Sequence, residues 1–94
     1  MNDNDLAIGS VVLSTKGRDK GTYFVVVGVD SKNNYVYLSD GGARKLNAPK
    51  KKNVKHVSYS GTTLDAIALK LETDKKVFDS EVKSALRQFN QQNN

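Results

Sequence analysis

The sequence predicts a mainly β fold, a small five-stranded barrel followed by two short C-terminal helices, and three observations carry that reading. From Ile8 to Tyr59, short runs rich in Val, Tyr, Phe and Thr are separated by turn residues, as strands on a half-buried pleated surface require. After Gly61 the apolar period changes from that of a strand to that of a helix. The chain has 94 residues and 37% hydrophobic content, enough for one small core and no more.

The first strand is expected at about residues 9–14 and the second at about 23–29. In the second, Tyr23, Phe24, Val25, Val26 and Val27 are apolar on both faces, so this strand must be central. Between them TKGRDKG sets Gly17 and Gly21 around charged residues, which gives a sharply turning basic hairpin loop with its long side chains outward. DSKNN is the next turn, and it leads into a third strand at 35–39. There Val36 and Leu38 alternate with Tyr35 and Tyr37, so one face should be core and the other tyrosine. Asp40, Gly41 and Gly42 form a tight turn, residues 43–46 are expected to pair briefly, and Pro49 is expected to end regular pairing before the run PKKKN. A last strand at about 54–59 completes five strands in some fifty residues, too few for a sandwich, so the SH3-like barrel is the economical architecture.

In the C-terminal part Leu64, Ile67, Ala68 and Leu71 recur with helical spacing, with Thr62 as the expected cap and Asp65 in the first turn. A second stripe is formed by Val82, Ala85, Leu86 and Phe89. Asp79 is its expected cap, and Phe78 is placed to pack back onto the helix. Helices this short do not persist alone, so their stripes must bury on the barrel or on a protein partner. The resulting organisation is a flexible polar N-terminus at 1–7, a barrel at 8–60, a helical appendage at 61–90 and a frayed tail at 91–94.

Composition narrows the function. Residues 1–15 carry a net −2, and residues 57–94 balance five basic against five acidic groups. Residues 16–56 set ten Lys or Arg against Asp19, Asp30 and Asp40, a net +7. The whole excess behind the protein's +5 therefore lies in the barrel, where it predicts attraction to polyanions, chiefly nucleic acid. The absence of cysteine removes disulfides, thiolate nucleophiles and Cys-based metal sites. No apolar run is long enough to cross a membrane, and the polar, acidic start is unlike a signal peptide, so a cytoplasmic protein is expected. The NDND start lacks the glycine and the later Glu of a calcium loop, and reads as a polar tail. His56 is the lone histidine, with no partner placed for catalysis or metal binding. No catalytic constellation, metal site, cofactor or small-molecule substrate is expected.

The segments VVLSTKGRDKGTYFVVVGVD, YVYLSDGG and ARKLNAPKKKNVKHV resemble a KOW-motif protein, a class of RNA-binding modules found in ribosomal proteins and NusG-type transcription factors. The similarity is greatest to the archaeal and eukaryotic large-subunit ribosomal family numbered fourteen. It covers about residues 8–59. The resemblance matches the motif glycine to Gly21 and the loop's basic residues to Lys16, Arg18 and Lys20. It further implies that Lys50, Lys51, Lys52, Asn53, Lys55 and His56 lie on or near RNA, ribosomal RNA or the large subunit being the implied partner.

From chemistry alone, Lys16, Arg18, Lys20, Arg44, Lys45, Lys50, Lys51, Lys52 and Lys55 can each neutralise a phosphate and release its counterions. Arg18 and Arg44 can also fork onto a phosphate or base edge. Tyr35 and Tyr37, facing outward, can stack unpaired bases. Gly17 and Gly21 are structural. The competing expectation is a protein-interaction module of the transcription or translation machinery, since SH3-like barrels also bind peptides.

Overall fold

A computed structural model of the chain describes residues 6–91. Strands β1 (Ser10–Ser14), β2 (Tyr23–Asp30), β3 (Tyr35–Ser39), β4 (Lys50–Asn53) and β5 (Val57–Thr63) form one antiparallel sheet in the order β4-β3-β2-β1-β5. Helices α1 (Asp65–Glu72) and α2 (Asp79–Asn90) follow. The mainly β class and the central place of β2 are as the sequence predicts. The sheet is not closed by hydrogen bonds, because its edges β4 and β5 do not pair. They are joined instead by a single 3₁₀ turn, Val54–His56.

Strand alternation divides the core in two. Val12, Phe24, Val26, Val36 and Leu38 meet Val54 and Val57 on the inner side of the sheet. The opposite face presents Val11 and Val25, which are covered by Ile67 of α1 and by Val82 and Leu86 of α2. The double-sided apolarity of β2 thus has one cause: Phe24 and Val26 fill the inner core while Tyr23, Val25 and Val27 form the floor for the helices. Both helical stripes bury on the sheet. A protein partner would therefore have to meet some other face of these helices.

Two close approaches seat the helices. Leu64 N–H donates to the Gly9 carbonyl at 2.8 Å, and a Cβ on Gly9 would stand 2.6 Å from the Ala68 methyl of α1. At the other end Asn90 pins α2 to the start of β2: its Oδ1 accepts from Tyr23 N–H at 2.8 Å and its Nδ2 donates to the Tyr23 carbonyl at 3.3 Å. Beside this clamp the Tyr23 and Phe89 rings stand 5.4 Å apart. Asn90→Ala removes both bonds, and a loss of about 1 kcal/mol is expected in urea unfolding. A change below about 0.3 kcal/mol would show that the end of α2 is held by Phe89 packing alone.

Several local expectations are corrected. The fourth strand is not at 43–46 but is the lysine run itself, which pairs with β3 as Lys50 opposite Leu38, Lys51 opposite Tyr37 and Lys52 opposite Val36. Pro49 precedes this edge strand and does not prevent it, because a missing N–H at the start of an edge strand breaks no internal ladder. Residues 43–46 instead form a turn: the Arg44 carbonyl accepts from Asp40 and Gly41 N–H and from Ser39 Oγ, and Asp40 Oδ1 accepts from Gly42 and Arg44 N–H. The last strand starts at Val57, since Val54–His56 turns with the Asn53 side chain accepting from Lys55 N–H.

Neither helix has the expected side-chain cap. Thr62 belongs to β5, and Leu64 occupies the cap position of α1. Asp79 lies inside α2, where its Oδ1 accepts from Leu46 N–H at 2.7 Å and ties the helix to the β3–β4 connection. Phe78 does not fold back; it is 58% exposed beneath the Lys76 ammonium. The expected N-terminal tail and the calcium-like NDND segment lie outside the described residues up to position 5. Leu6, however, packs against the inner core, so the ordered fold begins before residue 8. Of the expected frayed tail, 92–94 lie outside the described residues.

Candidate nucleic-acid interface

The β1–β2 hairpin loop delivers cations to one end of the sheet. Gly21 N–H donates to the Ser14 carbonyl at 2.9 Å and Thr22 N–H to the Asp19 carbonyl at 3.0 Å. Gly17 and Gly21 take φ of +93° and +92°, which only glycine enters without strain, so the shape of the loop depends on both. This geometry leaves Lys16, Arg18 and Lys20 exposed and turns Asp19 inward.

Asp19 was legible in the sequence only as a charge to subtract, yet it organises the site. Lys52 points inward on β4 beside Val36 and is 7% exposed. Its Nζ donates to the Asp19 carboxylate, to Ser14 Oγ at 2.8 Å and to the Lys16 carbonyl at 2.6 Å. Ser14 Oγ in turn donates to Asp19 Oδ1 at 2.7 Å. Lys50, two residues earlier and so on the same side of β4, brings its Nζ to 3.1 Å from Oδ2, an ion pair without a directed hydrogen bond. Burial alone would raise the Asp19 pKa. Hydrogen bonds from Lys52 and Ser14, together with the nearby Lys50 and Lys52 charges, outweigh it and hold the carboxyl far below the usual aspartate range.

This corrects the phosphate-binding expectation for two residues. The Lys52 ammonium is enclosed and already bonded, and Lys50 is drawn towards the same carboxylate, which leaves the three groups a net charge of +1. Three consecutive lysines therefore present one fully available cation, Lys51, because the pleat sends Lys50 and Lys52 to the other side.

Two shallow depressions gather most of the remaining expected residues. The first is lined by Lys16, Tyr35, all three lysines of β4, Asn53 and His56. In it Lys51 Nζ lies 4.4 Å from the centroid of the Tyr35 ring, which presents an aromatic face and a cation together. The second is lined by Arg18 and Arg44 with Lys50 on their shared border. Lys20, Lys45 and Lys55 are exposed but line neither. Tyr37 does face the tyrosine side of β3 as expected, but its ring lies against Gly28, where an added Cβ would come within 3.3 Å of it. Stacking capacity thus falls on Tyr35. Asp30, at the far end of β2, has its carboxyl held below its ordinary value by the Asn33 side-chain hydrogen bond, with Lys51 adding attraction.

Among the described residues, no group of three or more His, Asp or Glu side chains stands at metal-binding spacing, and no helix is long and apolar enough to cross a membrane. No protein-family model matches the chain, and no curated protein is significantly similar to it.

Proposed function

We propose that this protein is a non-catalytic RNA-binding protein that holds structured RNA against the sheet end formed by the β1–β2 loop and β4. The observation that carries the reading is the pair of adjoining depressions. One collects Lys16 and Lys51 around a cation-covered Tyr35 and the other Arg18 and Arg44, none of the four in an ion pair among the described residues. Long, unpaired cations on a rigid edge suit a phosphate backbone, and the two guanidiniums add forked contacts to phosphate or base edges. The resemblance to KOW proteins supports the same partner class and makes large-subunit ribosomal RNA the first target to try, with a cytoplasmic location to match.

The test is fluorescence anisotropy with a labelled RNA stem-loop across a salt series. The four phosphate contacts at the sheet end contribute about −3 to −4 to the log–log slope. Lys16→Gln with Lys51→Gln should make that slope shallower by about 2 without changing the melting temperature. Affinity that does not vary with salt would overturn the reading. Capture of a cellular protein that survives nuclease treatment, with no RNA bound, would replace it by the protein-interaction alternative.

A further inference from the structure

Resting on that reading, we infer that the RNA-binding surface does not end at the sheet but continues over α2, where Lys83 and Arg87 contact the same RNA backbone. A third depression lies between α2 and the turn after β3. It is lined by Lys83 and Arg87 together with Asp40 and Ala43. Those last two residues also line the Arg18–Arg44 depression, which shares Lys50 with the one around Tyr35. Neighbouring depressions thus share lining residues, and each holds at least two Lys or Arg side chains, with Asp19 and Asp40 the acids among them.

The cations of the third depression are free to act. Lys83 and Arg87 are four residues apart, so they share one face of α2; both are exposed, and neither takes part in an ion pair among the described residues. The acids of the same helix are committed elsewhere. Asp79 accepts from Leu46 N–H, and Glu81 pairs with Lys70 at 2.7 Å. Asp40, at the seam, turns Oδ1 to two backbone N–H groups of its own turn and is the one acid in the lining of this depression.

Position is fixed as well as charge. An added Cβ at Gly41 would stand 2.8 Å from Lys83 N, so the turn that carries Arg44 is seated directly on the first turn of α2. Asn90 clamps the other end of the helix to β2. Lys83 and Arg87 are thus held in a constant relation to Arg44, which spares the ordering cost that a loosely tethered helix would incur on binding. Only a chain of several phosphates occupies all three, so the ligand is an extended stretch of RNA backbone.

The experiment uses the full chain and the same labelled stem-loop. It compares the wild type with Lys83→Gln/Arg87→Gln and with Lys75→Gln/Lys76→Gln, which removes equal charge from exposed positions lining none of the three depressions. The first double variant should flatten the salt slope by about 2 and the second by less than about 0.5, with melting temperatures matching the wild type. Equal slopes for the two double variants would reduce the effect to net charge and overturn the inference. So would an unchanged slope for Lys83→Gln/Arg87→Gln alongside a flattened one for Lys16→Gln/Lys51→Gln, an outcome that leaves the sheet-end reading standing. Failure of the wild type to bind the stem-loop at low salt would instead remove both.

Discussion

Asp19→Asn should destabilise the fold by about 3 to 5 kcal/mol, the usual consequence of leaving one member of a buried ion pair uncompensated. The Lys52 ammonium would keep Ser14 Oγ and the Lys16 carbonyl as partners but lose its counter-charge in a site where it is 7% exposed. For a domain of this size the melting temperature should fall on the order of 15 °C. Adding Lys52→Met to Asp19→Asn should restore most of the loss, since an apolar chain of similar length replaces the orphaned charge. Urea unfolding of the four members of the cycle measures this directly. Strictly additive losses would mean that the two residues do not act as a pair. The same pair sets an acid limit. The Asp19 pKa is depressed on folding, so its contribution is complete above the ordinary value of 3.8 and is lost as pH falls from there towards the folded value. Wild-type stability should therefore decline steeply below about pH 4, and the double variant should decline less.

The second large effect is expected at Gly41. Its φ is +74°, and a Cβ there would stand 2.2 Å from the Asp79 carbonyl oxygen and 2.8 Å from Lys83 N, both of them backbone atoms that cannot rotate aside. Gly41→Ala combines left-handed strain of about 1 to 3 kcal/mol with overpacking of similar size, a total near 4 kcal/mol. Gly21→Ala provides the comparison: φ is +92° but nothing lies within 4 Å, so only the backbone strain remains. The substitution at Gly41 should cost at least twice as much as that at Gly21, and it should displace α2 enough to disturb the environment of Tyr23 beside Phe89. Similar losses at the two glycines would show that the helix yields easily and is not seated on the turn.

The sequence disclosed the elements whose periodicity is produced by burial. β2, with both faces apolar, and β3, with valine and leucine alternating with tyrosine, have the bounds or nearly the bounds expected, and both helical stripes are buried on the sheet. β4 was hidden because its inward positions are not apolar. Lys50 and Lys52 stand where a strand ordinarily shows hydrophobic residues, and they are tolerated only because Asp19 arrives from a loop thirty-odd residues away. That distance in sequence also concealed which lysines are available, although a period-two reading of KKK would have separated Lys51 from its neighbours. Asp79 was misplaced for a related reason: its partner is the backbone of Leu46 rather than the first turn of its own helix, and a cap rule considers only local partners. Lys83 and Arg87 were masked by averaging, because the C-terminal segment is neutral overall, while within α2 Asp79 and Glu81 face other partners.

The exposed edge formed by β4 also bears on how copies of the chain behave at high concentration. An open strand edge offers unpaired N–H and C=O groups to any neighbour, and two sheets meeting edge to edge can extend into an aggregate. Here the approaching backbones would bring together lysine rows carrying more positive charge than the single Asp19 on each copy can cancel, with Pro49 beside them offering no donor. The lysine row thus keeps the edge from growing by self-repulsion, a protection that weakens as added salt shortens the range of the charges.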